Sequence, residues 1–194
     1  MTESQKATRA TIAIGSLKVE GFMLPDGSYR MSQTQVAETV GLKPRNVFDF
    51  LRSKAIKSLL GEGYTFSVSD DEYIQSEPET GKRGASRITP IPLEAVATYW
   101  LWQSHRGNKQ ALALCLALMA ESLERRFDNA FGIQRSEEEY NQRLEQQVQQ
   151  LEQQAGEAFA AADDERRNAE MLERQIRELG GKPYWELDFE TEGG

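Results

Sequence analysis

The chain has 194 residues, 39% hydrophobic and 28% charged, with a net charge of −8; that is room for one ordinary domain plus a solvated appendage. One Cys (Cys115) and one His (His105) exclude an internal disulfide, a multi-cysteine metal site and a multi-histidine zinc site. The longest apolar run, Ala111 to Ala120, is far short of the roughly 20 residues that a spanning helix needs.

Thr2 to Ala10 is polar and reads as disordered. Thr11 to Ile14 and Leu17 to Leu24 alternate apolar and polar residues around Gly15-Ser16, which predicts a hairpin. Pro25-Asp26-Gly27 supplies a second turn, and Tyr29 to Met31 a third short strand. Ser32 is placed to cap a helix whose apolar stripe is Val36, Ala37 and Val40. After Gly41 a second helix starts at Pro44, whose fixed φ suits a first turn; it carries Val47, Phe48, Phe50 and Leu51, and Ile56, Leu59 and Leu60 extend or follow it.

Tyr64 to Val68 and Arg87 to Ile91 read as strands, separated by a long stretch, Ser69 to Ser86, that is acidic first and then basic. Leu93 to Phe131 is helical in composition with a break near Gly107-Asn108. Its apolar residues surround the helix from Ala111 to Ala120, which predicts a buried centre, and Gly132 ends it.

From Ser136 the composition turns to Glu, Gln, Arg and Ala. Leu144, Val148, Leu151, Ala155, Ala158 and Ala162, then Ala169, Leu172, Ile176 and Leu179, recur at steps of four and three, broken only at Glu165. This is a heptad seam, expected either to pair subunits as a coiled coil through Leu144, Val148, Leu151, Leu172, Ile176 and Leu179 or to fold back on the domain. Its 36 residues extend about 54 Å at roughly 1.5 Å per residue. Gly180-Gly181 stops the helix, and an acidic tail with Tyr184, Trp185 and Phe189 follows, a candidate surface for a protein partner.

The expected architecture is therefore α+β. A disordered 1–10 precedes an α+β domain over 11–92, whose small amino-terminal sheet carries a helix-turn-helix at 32–52, with or without a wing. A buried helical segment spans 93–132, a coiled coil 136–179 and an acidic tail 180–194.

Gln33 to Leu51 fits the helix-turn-helix pattern. A small residue is needed where the helices cross (Ala37), and a residue tolerant of positive φ at the turn (Gly41). Apolar residues must seal the angle (Val36, Val40, Leu42, Val47, Phe50). The acidity of the chain belongs to its carboxy-terminal part: residues 1–134 are net +1, residues 135–194 net −9, and Arg30 to Lys57 alone net +4. At a Debye length of about 8–10 Å, a docked polyanion responds to the local patch rather than to the total.

If this unit binds double-stranded DNA, Lys43, Arg45, Asn46, Asp49 and Arg52 lie off the apolar stripe of the second helix. Arg45 and Asn46 sit in the first turn, which meets base edges. Asp49 either accepts from cytosine or pairs with Arg45 or Arg52. Lys54 and Lys57, with Gln33 and Thr34 at the start of the first helix, suit phosphates, and Lys82, Arg83 and Arg87 would arm a wing. Arg45 and Asn46 turned inward, or held against acidic side chains of their own subunit, would overturn this reading. In the alternative the helical pair is architecture, and the protein is a non-enzymatic coiled-coil scaffold that binds protein.

Asp26-Gly27-Ser28-Tyr29-Arg30-Met31, a turn with an aromatic residue leading into the first helix, and the helical pair after it resemble phage- and prophage-type antirepressor proteins with a KilA-N-like amino-terminal domain. The resemblance covers Ile12 to Ile91. It implies binding to DNA or to a repressor, and is an analogy at the level of fold.

Other groups read as structural. Tyr99-Trp100-Leu101-Trp102 has core spacing, His105 is a helix-surface or end residue, and Cys115 is an inert buried thiol. Asp70, Asp71, Glu72 and Glu77 read as a solvated acidic loop rather than a site for a divalent ion. Met1 to Thr11 has no apolar core region, so no signal peptide is read, and no phosphate loop, catalytic triad order or metal-ligand spacing is present. The expectation is a cytoplasmic protein that is not an enzyme, with no catalytic residues, no metal and no cofactor.

Overall fold

The computed structural model describes residues 7–61, 64, 74–76 and 86–186. Strands Thr8–Ile14 (β1) and Leu17–Met23 (β2) pair antiparallel, with Ala10 opposite Gly21 and Ile12 opposite Val19, so their apolar residues share one face. Gly15, at φ +59°, makes the turn between them. The ladder begins at Thr8, so Thr8, Arg9 and Ala10 belong to the sheet and not to a disordered end; residues 1–6 lie outside the described residues.

At the second turn Asp26 Oδ1 accepts from the Ser28 N–H (2.8 Å) and hydroxyl (2.6 Å), and the chain returns as Tyr29–Ser32 (β3) beside β2.

The expected strand Arg87 to Ile91 is two strands. Ile74–Ser76 (β4) pairs with Ser86–Ile88 (β5) in a two-stranded sheet, while Pro90–Pro92 (β6) pairs with β3 and closes a four-stranded antiparallel sheet of order β1-β2-β3-β6. Proline lacks an N–H for a ladder, and Pro90 and Pro92 accordingly stand at the edge of the sheet with only Ile91 between them, opposite Met31. The partner of β5 is thus β4, from within the stretch read as a loop. The expected partner strand lies outside the described residues at 65–68.

Three short helices follow β3: Gln33–Glu38 (α1), Pro44–Leu51 (α2) and Lys54–Leu60 (α3). Leu93–His105 (α4) and Lys109–Phe131 (α5) come after β6, and Glu137–Glu178 (α6) is last. The fold is α+β. One core joins Val19, Met31 and Ile91 of the sheet to Val36, Ala37 and Val40, then Val47, Phe50 and Ile56, and finally Val96, Tyr99, Trp100, Ala111 and Leu114. Burying a side chain of this size is worth about 1.5–3 kcal/mol. Tyr99 and Trp100 therefore belong to the core, as their spacing predicts, while Trp102 is half-buried against it and Leu101, expected with them, is exposed. Ala111 to Ala120 is buried on one face only: Ala111, Ala113, Leu114 and Ala117 are covered, whereas Leu116, Met119 and Ala120 are exposed.

The chain divides into two compact units, Met1–Gln153 and Gln154–Gly194. In the first, Ser136 and Glu139 cap α6 reciprocally, the Glu139 N–H donating to Ser136 Oγ (3.2 Å) and the Ser136 N–H to Glu139 Oε2 (2.7 Å). The first turns of α6 then lie on their own domain. Tyr140 and Leu144 are buried, and a Cβ placed on Gly15 would come within 3.1 Å of Glu145 Cα.

Leu144 is therefore consumed inside its own subunit, and Val148 and Leu151 are half-buried, so over its first repeats the seam follows the second of the two expected arrangements and folds back on the domain instead of pairing subunits. Heptad spacing marks a face to be covered and leaves open what covers it. The second unit holds the remainder of α6 and a short turn of 3-10 helix, Tyr184–Glu186, with Arg177 paired to Glu173 (2.8 Å) and to Glu186. Its seam residues Leu172, Ile176 and Leu179 are exposed.

Candidate nucleic-acid interface

The turn between α1 and α2 is built from local rules. Ser32 Oγ accepts from the Gln35 N–H (3.2 Å) at the start of α1. At its end the Gly41 N–H donates to Glu38 O (3.0 Å) and the Leu42 N–H to Ala37 O (3.0 Å), with Gly41 at φ +69°. That pair of bonds around a left-handed residue is the Schellman ending, for which glycine is the natural occupant.

The bend is also held from below. Trp100 Nε1 donates to Val36 O (2.9 Å) from α4, and Asn108 Nδ2 donates to Val40 O (2.9 Å) while its Oδ1 caps α5 at the Ala111 N–H (2.9 Å). A Cβ on Gly41 would overlap Gln110 Oε1. All seven pattern residues do what the motif requires: Val36, Ala37, Val40, Val47 and Phe50 are buried, Leu42 is half-buried and Gly41 turns the chain.

With Val47, Phe50 and Leu51 inward, α2 presents Arg45, Asn46, Asp49 and Arg52 to solvent. Lys43, at the N-cap of α2, and Lys54 and Lys57 on α3 are exposed beside them. The eight residues of α2 are about 12 Å long, comparable with the width of a B-DNA major groove.

Arg45 Nε donates to Asp49 Oδ1 (2.9 Å), the intrahelical pairing that is one of the two roles expected for Asp49. Arg45 is thus turned outward yet held against an acidic side chain of its own subunit, so the second condition that would overturn DNA reading is met at Arg45 and not at Asn46. Asn46 is exposed and donates only weakly, through Nδ2, to Lys43 O (3.3 Å).

Other expected residues are placed differently. Gln33 is half-buried and donates its amide to Pro44 O (2.9 Å), tying the start of α1 to the start of α2, so it braces the motif and is not a free phosphate ligand. Thr34 is exposed at the start of α1. Lys82 and Arg83 lie outside the described residues, as does the side chain of Arg87 in β5, and so do Asp70, Asp71, Glu72 and Glu77. Among the described residues no group of three His, Cys, Asp or Glu is placed to hold a metal ion. Nor is any helix there long and apolar enough to cross a membrane.

Two contributions were hidden from pattern reading. Phe48, half-buried, lies beneath two guanidinium groups, Arg52 Cζ at 4.3 Å and Arg45 Cζ at 5.2 Å from its ring centroid, so it positions the cationic side chains of α2. Asn108 reads in sequence only as a helix break; its amide at once caps α5 and pins the helix-turn-helix bend. No protein-family model, no curated protein and no solved structure matches the chain.

Proposed function

We propose that this chain is a sequence-specific binder of duplex DNA, a regulator in which α2 enters the major groove and α3 follows the phosphate backbone. The observation that carries the reading is the face itself. Lys43, Arg45, Arg52, Lys54 and Lys57 stand exposed on consecutive helices with a single carboxylate, Asp49, among them. That cationic strip sits on a bend braced from two further helices.

The Arg45–Asp49 pair weakens the case at one residue, and magnitudes decide how far. An exposed pair of this i,i+4 kind is worth about 0.3–0.5 kcal/mol. A bidentate arginine–guanine contact supplies about 1–3 kcal/mol. The contact outweighs the pair, so DNA can draw Arg45 away from Asp49.

The test is a gel shift or anisotropy titration of the full chain against a pool of random duplexes. Parent protein selects a sequence and loses affinity steeply with salt. Arg45→Ala binds less tightly and discriminates less, and Lys57→Ala weakens all sequences alike. If both variants behave as the parent does, α2 does not read DNA. A second reading, a protein-binding scaffold, is favoured by the exposed Leu172, Ile176 and Leu179; it predicts no retention on a DNA column even at low salt.

A further inference from the structure

The apolar surface least accounted for lies on α5. Leu116 is 39%, Met119 53%, Leu123 57%, Phe127 60% and Phe131 74% exposed, with the Phe127 and Phe131 rings stacked at 6.4 Å. Steps of three and four put these residues, with Ala120, on one stripe along about four turns of helix, beside the face that buries Ala113, Leu114 and Ala117 in the core. Exposed Arg126 borders the stripe beside Met119 and Leu123. The acidic side chains of the same helix are engaged elsewhere: Glu121 with Arg125, Glu124 with Arg143, and Asp128 with Arg135 and the Tyr140 hydroxyl.

We infer that this stripe is the homodimer interface, covered by the same stripe of a second copy in an antiparallel α5–α5 pair. Three observations select that occupant. An antiparallel arrangement about a two-fold axis between Glu121 and Ser122 sets Leu116 against Phe127, small Ala120 against Leu123 and Phe131 against Leu112. Its size suits a dimer, since the five large side chains expose on the order of 600 Å² in one copy and about 1,200 Å² in a pair, where specific interfaces begin. The heptad seam of α6, the other candidate, has already spent Leu144 on its own subunit.

This inference stands apart from the DNA reading and is tested without DNA, by sedimentation equilibrium of the full chain between about 1 and 100 μM. The parent sediments as a dimer. Leu123→Glu sediments as a monomer with unchanged helix content, its dimer dissociation constant raised by at least 100-fold. Met119→Lys, at a second exposed position, does the same should Leu123→Glu fail to fold. Ile176→Glu, on the distal seam of α6, remains a dimer. A parent that is monomeric throughout, a Leu123→Glu protein that still dimerises, or an Ile176→Glu protein that falls apart overturns the proposal. So does a monomeric parent that co-floats with phosphatidylcholine vesicles.

Discussion

Gly41 shows how much can rest on a single residue. Its φ of +69° is open to glycine and costs other residues about 1–2 kcal/mol, and a methyl group there also meets Gln110. Gly41→Ala is therefore expected to lower the urea midpoint by the equivalent of about 1–2 kcal/mol and to weaken DNA binding with it. Gly27→Ala has open space around the added carbon and should lose stability through backbone strain alone, with DNA binding kept. At Arg45 the expected loss on Arg45→Ala is about 5- to 100-fold in affinity for the selected sequence, the equivalent of one bidentate contact. Asp49→Ala frees the Arg45 guanidinium and is expected to tighten non-specific binding measurably in the same titration. These residues were legible in sequence because their chemistry is local: a capping serine, a glycine four after an alanine, a proline at a first turn. Phe48 was not, since its role depends on two arginines converging over one ring.

Among the elements, the joint between α5 and α6 is the most heavily tied. Arg135 Nε donates to Asp128 Oδ2 (2.6 Å), the Tyr140 hydroxyl donates to the same oxygen (2.9 Å), and Arg125 reaches both Glu121 and Glu137. The Arg135 hydrogen bond, and then that of Tyr140, holds the Asp128 carboxyl below its ordinary range against the opposing effect of burial. A depressed carboxyl contributes stability in full above the pKa of the unfolded chain, near 3.8, and loses it as pH falls through the lower folded value. Thermal melts from pH 7 down to 2 should thus show an acid limb below about pH 4 in the parent that Asp128→Asn reduces, while Asp128→Asn is the less stable protein at pH 7. Asn108→Ala removes a helix cap and the partner of Val40 O together, and is expected to cost about 1–2 kcal/mol by denaturant unfolding. The hairpin, β3 and all six helices follow from spacing and turn chemistry. Three features do not: the strand β4 inside a stretch read as a loop, the start of β1 at Thr8, and the division of the strand at Thr89. All three are decided by which neighbouring strand is left to be paired.

Over the whole molecule, charge is divided along the chain. A net −9 over residues 135–194 accompanies a cationic α2–α3 face in a first part of net +1. If the acidic tail competes with DNA for that face, deleting residues 180–194 tightens binding at low salt, and unchanged affinity removes that competition from the account. Dimerisation through α5 adds a geometric demand, for it places two α2 helices about a two-fold axis. A selected site is then expected to be palindromic, with half-sites one helical turn or a multiple of it apart, about 34 Å. The most direct test of DNA recognition by α2 is selection of duplexes from a random pool at low salt by the parent and by an Arg45→Ala/Asn46→Ala protein. The account predicts that the parent enriches a defined sequence and the double variant enriches none while still being retained. Failure of the parent to retain any duplex, or enrichment of the same sequence by both proteins, would contradict it.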